Sequence, residues 1–123
     1  MAGQVLLIED EPNIAEAIRF LLGRQGWEVS VLGDGRAALV AVARRRPDLV
    51  ILDLMLPGMS GMDVLLHLRA DPATQNLPVM MLTAKGQGRD REAATRAGVS
   101  AFMTKPFANA EMVAAVRGLM EGA

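Results

Sequence analysis

Cysteine is absent from the 123 residues, and histidine occurs once, at His67. Those two facts exclude a disulfide framework, a thiol nucleophile, Cys-ligated zinc and a multi-His metal site. Aromatic residues make up 3% of the chain, with three Phe, one Trp and no Tyr. So few rings cannot form a platform on which single-stranded nucleic acid stacks its bases. No apolar run approaches the ~20 residues of a membrane span. The start, Met1-Ala2-Gly3-Gln4, lacks the basic and long apolar regions of a secretory leader. Neither charge sign dominates: 13 Lys+Arg face 14 Asp+Glu, a formal net charge of −1. That balance gives no general attraction to nucleic acid or to anionic membrane. The expectation is a soluble, cytoplasmic protein. Only two of the basic residues are lysines, Lys85 and Lys105.

What is present is apolar. Hydrophobic residues are 51% of the chain, enough for one real core, and residues 1–123 are expected to form a single domain. Short apolar runs at Val5–Ile8, Trp27–Leu32, Leu49–Leu52, Val79–Leu82 and Ala101–Met103 read as strands. Helical periodicity fills the gaps between them. Ile14, Ile18, Leu21, Leu22 and Gln25 form one stripe after Pro12, which suits a first helical turn. Further helices are predicted over Ala37–Arg46, Met62–Arg69 and Arg89–Ala97, and a last one carries Met112, Val113, Val116, Leu119 and Met120. Five β/α units in series imply a parallel sheet covered on both faces.

In such sheets a site forms beyond the carboxyl ends of the strands. Here those positions are polar. The first strand runs into Glu9-Asp10-Glu11, the third ends in Asp53, the fourth in Thr83-Ala84, and the fifth leads to Thr104-Lys105-Pro106. Taken singly, each such residue could merely cap the next helix. Taken together they suit metal-assisted phosphoryl transfer to a carboxylate. Clustered carboxylates repel and need a cation. Mg²⁺ prefers oxygen ligands, few of them carboxylates. Asp53 can act as nucleophile, and Lys105 and Thr83 can stabilise charge on the phosphoryl oxygens. No Gly-rich phosphate loop or dinucleotide fingerprint is present.

The run Val5-Leu6-Leu7-Ile8-Glu9-Asp10-Glu11 combines with Asp53-Leu54-Met55-Leu56-Pro57-Gly58-Met59-Ser60-Gly61, with Leu82-Thr83-Ala84 and with Lys105-Pro106-Phe107. Thr83 follows Asp53 by 30 residues, and Lys105 follows Thr83 by 22. In this combination the chain resembles the receiver domain of two-component response regulators, the CheY-like family, from Gln4 to about Met120. The resemblance implies a doubly wound (βα)5 flavodoxin-like fold with a parallel sheet in order 2-1-3-4-5. It implies that Asp53 accepts a phosphoryl group from a histidine kinase or a His-phosphotransfer protein. It also implies Mg²⁺, with Mn²⁺ as a substitute, held by Glu9, Asp10, Asp53 and the Met55 carbonyl. Glu9 departs from the Asp that many relatives carry there, which touches metal geometry.

Further roles follow from the same resemblance. Thr83 is the switch hydroxyl, and Lys105, aimed by a cis peptide bond to Pro106, contacts the phosphoryl group. Phe102 is the aromatic that moves when Thr83 moves; a permanently buried core residue is the alternative. Met55 and Lys85 flank the route of an attacking water and tune the phosphoryl lifetime. The protein is a signalling switch that promotes only its own phosphorylation and dephosphorylation, acting on a downstream protein through its helix 4–strand 5–helix 5 face. Arg91 and Glu111 resemble one ion pair of the dimer formed by winged-helix regulators, but Ala97, Ala101 and Ala115 stand where that dimer has charges. The expectation is a monomer or a weak phosphorylation-dependent dimer. No helix-turn-helix is present, so direct nucleic-acid binding is not expected. A phosphatase of the haloacid-dehalogenase type would need a second Asp at the position of Met55. A phosphorylation-independent scaffold, or an excised receiver of a DNA-binding regulator, remain as alternatives.

Overall fold

A computed structural model describes residues 3–84 and 88–121. Five strands and five helices alternate: β1 Gln4–Ile8, α1 Pro12–Gly23, β2 Glu28–Leu32, α2 Gly35–Arg45, β3 Leu49–Asp53, α3 Gly61–Ala70, β4 Val79–Ala84, α4 Gly88–Ala97, β5 Ala101–Lys105 and α5 Asn109–Glu121. All strands are parallel, in the order β2-β1-β3-β4-β5. The fold is the doubly wound, flavodoxin-like one that the resemblance implied.

Residue alternation along each strand divides the interior in two. Leu6, Ile8, Val50, Leu52 and Met81 point to one face, where Val42 and Ala38 of α2, Val64, Leu65 and Leu68 of α3 and Ala94 of α4 cover them. Val5, Leu7, Leu49, Ile51, Met80 and Leu82 point to the other, under Ile18 and Leu22 of α1 and Met112 and Val116 of α5. All five residues of β3 are buried, which explains why that segment is apolar throughout, apart from its last residue, Asp53. Pro12 opens α1, the Asp34 side chain accepts from the Arg36 amide to cap α2, and Ser60 accepts from the Asp63 amide to cap α3.

Several boundaries differ from the sequence reading, each for a local reason. The Asp34 cap starts α2 at Gly35, before Ala37. Ladder pairing with β4 carries β5 through Lys105, beyond Met103. Trp27 stands outside β2, half-buried beneath the Arg117 guanidinium at 5.5 Å from the ring centre. Gln25 lies past the end of α1, and its side chain accepts from Arg117 at 2.9 Å. His67 is exposed on α3, and the Arg44–Arg45 run ends α2 in solvent.

Candidate functional site

The strand order sets the site. β1 and β3 are neighbours, so the residues that follow Ile8 meet the residue that ends β3. Glu9 and Asp53 are buried at 2% and 4% exposure, whereas Asp10 is exposed. Carboxylate oxygens of Glu9, Asp10 and Asp53 all lie within 4.8 Å of one another. β4 brings Thr83, buried at 2%, one residue beyond the Leu82 that pairs with Asp53. β5 brings Lys105, opposite Ala84. The Lys105–Pro106 bond is cis.

The Lys105 ammonium donates to Asp53 Oδ2 at 2.9 Å and to Glu9 Oε1 at 3.2 Å. Backbone amides hold the other oxygens: Glu11 N–H donates to Glu9 Oε2 at 3.1 Å, and Met55 N–H to Asp53 Oδ1 at 3.2 Å. Burial pushes the Glu9 carboxyl up to about 7, and the neighbouring Asp53 carboxylate pushes the same way. The Glu11 amide and the Lys105 charge oppose that rise without cancelling it. Burial alone pulls the Lys105 ammonium down, but hydrogen bonds and charge from Asp53 and Glu9 outweigh it and leave it raised. One ammonium faces three carboxylates, so the cluster carries excess negative charge. Its donors are hard oxygens, the set that Mg²⁺ accepts.

Met55, at 75% exposure, stands just outside the cluster. Phe102 is half-buried on β5, with the Arg91 guanidinium 5.5 Å from its ring centre. Glu111 accepts from the Ala108 amide at 3.3 Å, at the start of α5. Lys85 lies outside the described residues.

The pattern of the response regulator receiver domain matches residues 5–117. The chain belongs to that family. Among curated relatives, the receiver is 46% identical over 116 residues to TcrX of Mycobacterium tuberculosis, covering 94% of this chain and 49% of TcrX. It is 44% identical over 117 residues to the DNA-binding response regulator MtrA of Mycolicibacterium smegmatis, covering 95% of this chain and 50% of MtrA. The chain thus spans about half the length of these relatives. Among solved structures it resembles the receiver domain of the sensor histidine kinase PA1611 of Pseudomonas aeruginosa, which holds a magnesium ion in its active-site cleft. That likeness has a TM-score of 0.90 at 29% identity and covers 100% of both chains. The receiver is therefore a signalling module of the two-component type.

One side-chain tie and the packing of one turn escaped the sequence reading. Arg69 of α3 donates to the Gly98 carbonyl at 2.8 Å, to the Thr74 carbonyl at 3.2 Å and to Ser100 Oγ at 3.4 Å, tying three segments together. The Gly33–Gly35 turn packs against the loop that follows Asp53. Neither carries a motif, because each depends on what the fold brings next to it.

Proposed function

We propose that Asp53 accepts a phosphoryl group from a phosphohistidine, and that residues 1–123 act as one receiver unit. The observation that carries this reading is the Lys105 ammonium seated between Asp53 and Glu9 beside a third carboxylate. In the transfer the donor's N–P bond breaks and an Asp53 Oδ–P bond forms. The released imidazole nitrogen keeps the electron pair of the broken bond. Glu9, Asp10, Asp53 and the Met55 carbonyl would hold Mg²⁺, or Mn²⁺ in its place. The cation would neutralise charge on the phosphoryl oxygens during transfer.

This chain's own residues do the rest. Lys105 leaves its contact with the Asp53 oxygen and follows the charge onto the phosphoryl group. The Thr83 hydroxyl donates to another phosphoryl oxygen. Movement of Thr83 opens space for Phe102, which turns inward and changes the face built by α4, β5 and α5. Met55 flanks the path of the water that later hydrolyses the acyl phosphate, and Met55 and Lys85 tune the phosphoryl lifetime. The partners are a histidine kinase or a His-phosphotransfer protein, then a protein that reads the altered face. We place the protein in the cytoplasm, as a monomer or a weak phosphorylation-dependent dimer. The relative MtrA is described as DNA-binding and is about twice as long. That supports a second reading of the output, in which this receiver governs a DNA-binding partner domain without itself touching nucleic acid.

Intact mass after incubation with acetyl phosphate tests the chemistry. One phosphoryl adduct is expected on the wild type with Mg²⁺, and none without Mg²⁺ or on Asp53→Ala. An adduct that persists on Asp53→Ala contradicts the assignment.

A further inference from the structure

The β2–α2 turn touches both backbone segments that carry the carboxylate cluster. On one side, Glu9 N–H donates to the Leu32 carbonyl at 2.9 Å. A Cβ on Gly33 would stand 3.8 Å from the Asp10 Cα, an ordinary contact. On the other side, Gly35 N–H donates to the Pro57 carbonyl at 3.1 Å. A Cβ on Gly35 would fall 2.8 Å from the Met59 carbonyl carbon and closer still to its oxygen. Those are backbone atoms, so no side chain can swing aside to relieve the overlap. Gly58 faces the same turn with a φ of +81°, and a Cβ there would overlap the Asp34 carboxylate. Asp34 is itself fixed, since its Oδ1 accepts from the Arg36 amide at 2.7 Å.

The loop from Leu54 to Ser60 is thus pressed from two directions. A Cβ on Gly61 would lie 2.9 Å from the Leu54 Cα and 3.0 Å from the Asp53 carbonyl carbon. The Gly61 amide also donates to the Leu54 carbonyl at 2.9 Å. Met55 is the second residue of this clamped loop.

We infer that the Gly33–Asp34–Gly35 turn is a spacer that sets the distance between the Asp10 loop and the Met55 loop, and thereby the affinity of the site for Mg²⁺. These are positioning residues; none of them touches the phosphoryl group. The inference rests on the metal site proposed above. A side chain at position 35 pushes the Pro57–Met59 segment outward and moves the Met55 carbonyl with it, while the carboxylates stay in place. The cation site loosens, and the nucleophile does not change.

The test uses the whole chain with Gly35→Ala, and Gly58→Ala as a second variant that strains the same contact from the loop side. Ile18→Val, a core change in α1, serves as a variant of lowered stability away from the turn. Mg²⁺ alone is titrated by calorimetry, and acetyl-phosphate labelling is followed at rising Mg²⁺. For Gly35→Ala the half-saturating Mg²⁺ should rise roughly tenfold, as for other changes that disturb the support of a metal ligand. The labelling rate at saturating Mg²⁺ should stay within about twofold of wild type, because the acceptor carboxylate is untouched. Ile18→Val should lower the melting temperature and leave half-saturation unchanged. If Gly35→Ala does not fold, Gly58→Ala carries the same expectation. Folded glycine variants with wild-type Mg²⁺ affinity overturn the spacer, and so does an equal loss of affinity in Ile18→Val. A wild type that binds no Mg²⁺ and forms no adduct overturns the metal site itself, and the spacer with it.

Discussion

The Lys105 ammonium lies 2.9 Å from Asp53, although 52 residues separate the two along the chain. The same nitrogen reaches Glu9, 96 residues away, at 3.2 Å. These contacts gather the ends of β1, β3 and β5 around one charge. Lys105 offsets part of the negative charge that Glu9 and Asp53 bring together.

Glu9 makes the stability of the protein sensitive to pH. Its carboxyl is raised from 4.5 to about 7 in the folded state. A carboxyl raised on folding takes up a proton, so its contribution to stability is present at low pH and is lost as pH rises from about 4.5 to about 7. Urea denaturation without Mg²⁺ should show this loss in the wild type. In Glu9→Gln the loss across the same window should be smaller. Mg²⁺ competes with the proton, so its affinity should climb with pH and level off above about 7.

The Arg91 guanidinium lies over the Phe102 ring, 5.5 Å from its centre. A guanidinium over an aromatic face at an exposed site is worth about 0.5–1 kcal/mol. Arg91→Ala should therefore free the ring for the inward position. NMR should show Phe102 ring signals displaced, before any phosphoryl mimic is added, toward those of the mimic-bound wild type. Ring signals unchanged in both states contradict a moving Phe102.

Arg69 is a structural tie. It supplies hydrogen bonds to Gly98, Thr74 and Ser100 from a partly buried position, where burial pulls its pKa down. Arg69→Ala leaves the Gly98 and Thr74 carbonyls without this donor and should cost about 2 kcal/mol. Arg69→Lys should recover only part, since one ammonium cannot span three acceptors in a fork. Chemical denaturation of the three proteins checks the order.

Arg46 ends α2 in the left-handed region, with φ at 47°. A side chain is strained there and glycine is not. Arg46→Gly should raise stability by about 0.5–1 kcal/mol, read as an upward shift in melting temperature.

Much of this arrangement was legible in the residues. Parallel strands put their carboxyl ends on one edge, so Glu9, Asp10, Asp53, Thr83 and Lys105 could be grouped before any coordinates. Their types then limited the chemistry. What stayed hidden depends on contacts between distant segments. Gly35 looks like any turn glycine until Met59 is seen against it. Arg69 reads as a solvated helix residue until Gly98 and Ser100 arrive beside it. Arg91 lies over the Phe102 ring and Glu111 serves the start of α5, contacts that no local pattern announces. Strand ends were misjudged where polar residues still pair, as Thr104 and Lys105 do with Thr83 and Ala84.

The central claim is that Asp53 is the acceptor. The most direct measurement is borohydride reduction of the protein treated with acetyl phosphate and Mg²⁺, followed by peptide mapping. Reduction converts an aspartyl phosphate to homoserine at the residue that carried it. Homoserine is expected at position 53 alone, and none when Mg²⁺ is withheld. Homoserine at position 10, or an unmodified Asp53 in protein that carries the phosphoryl mass, contradicts the claim.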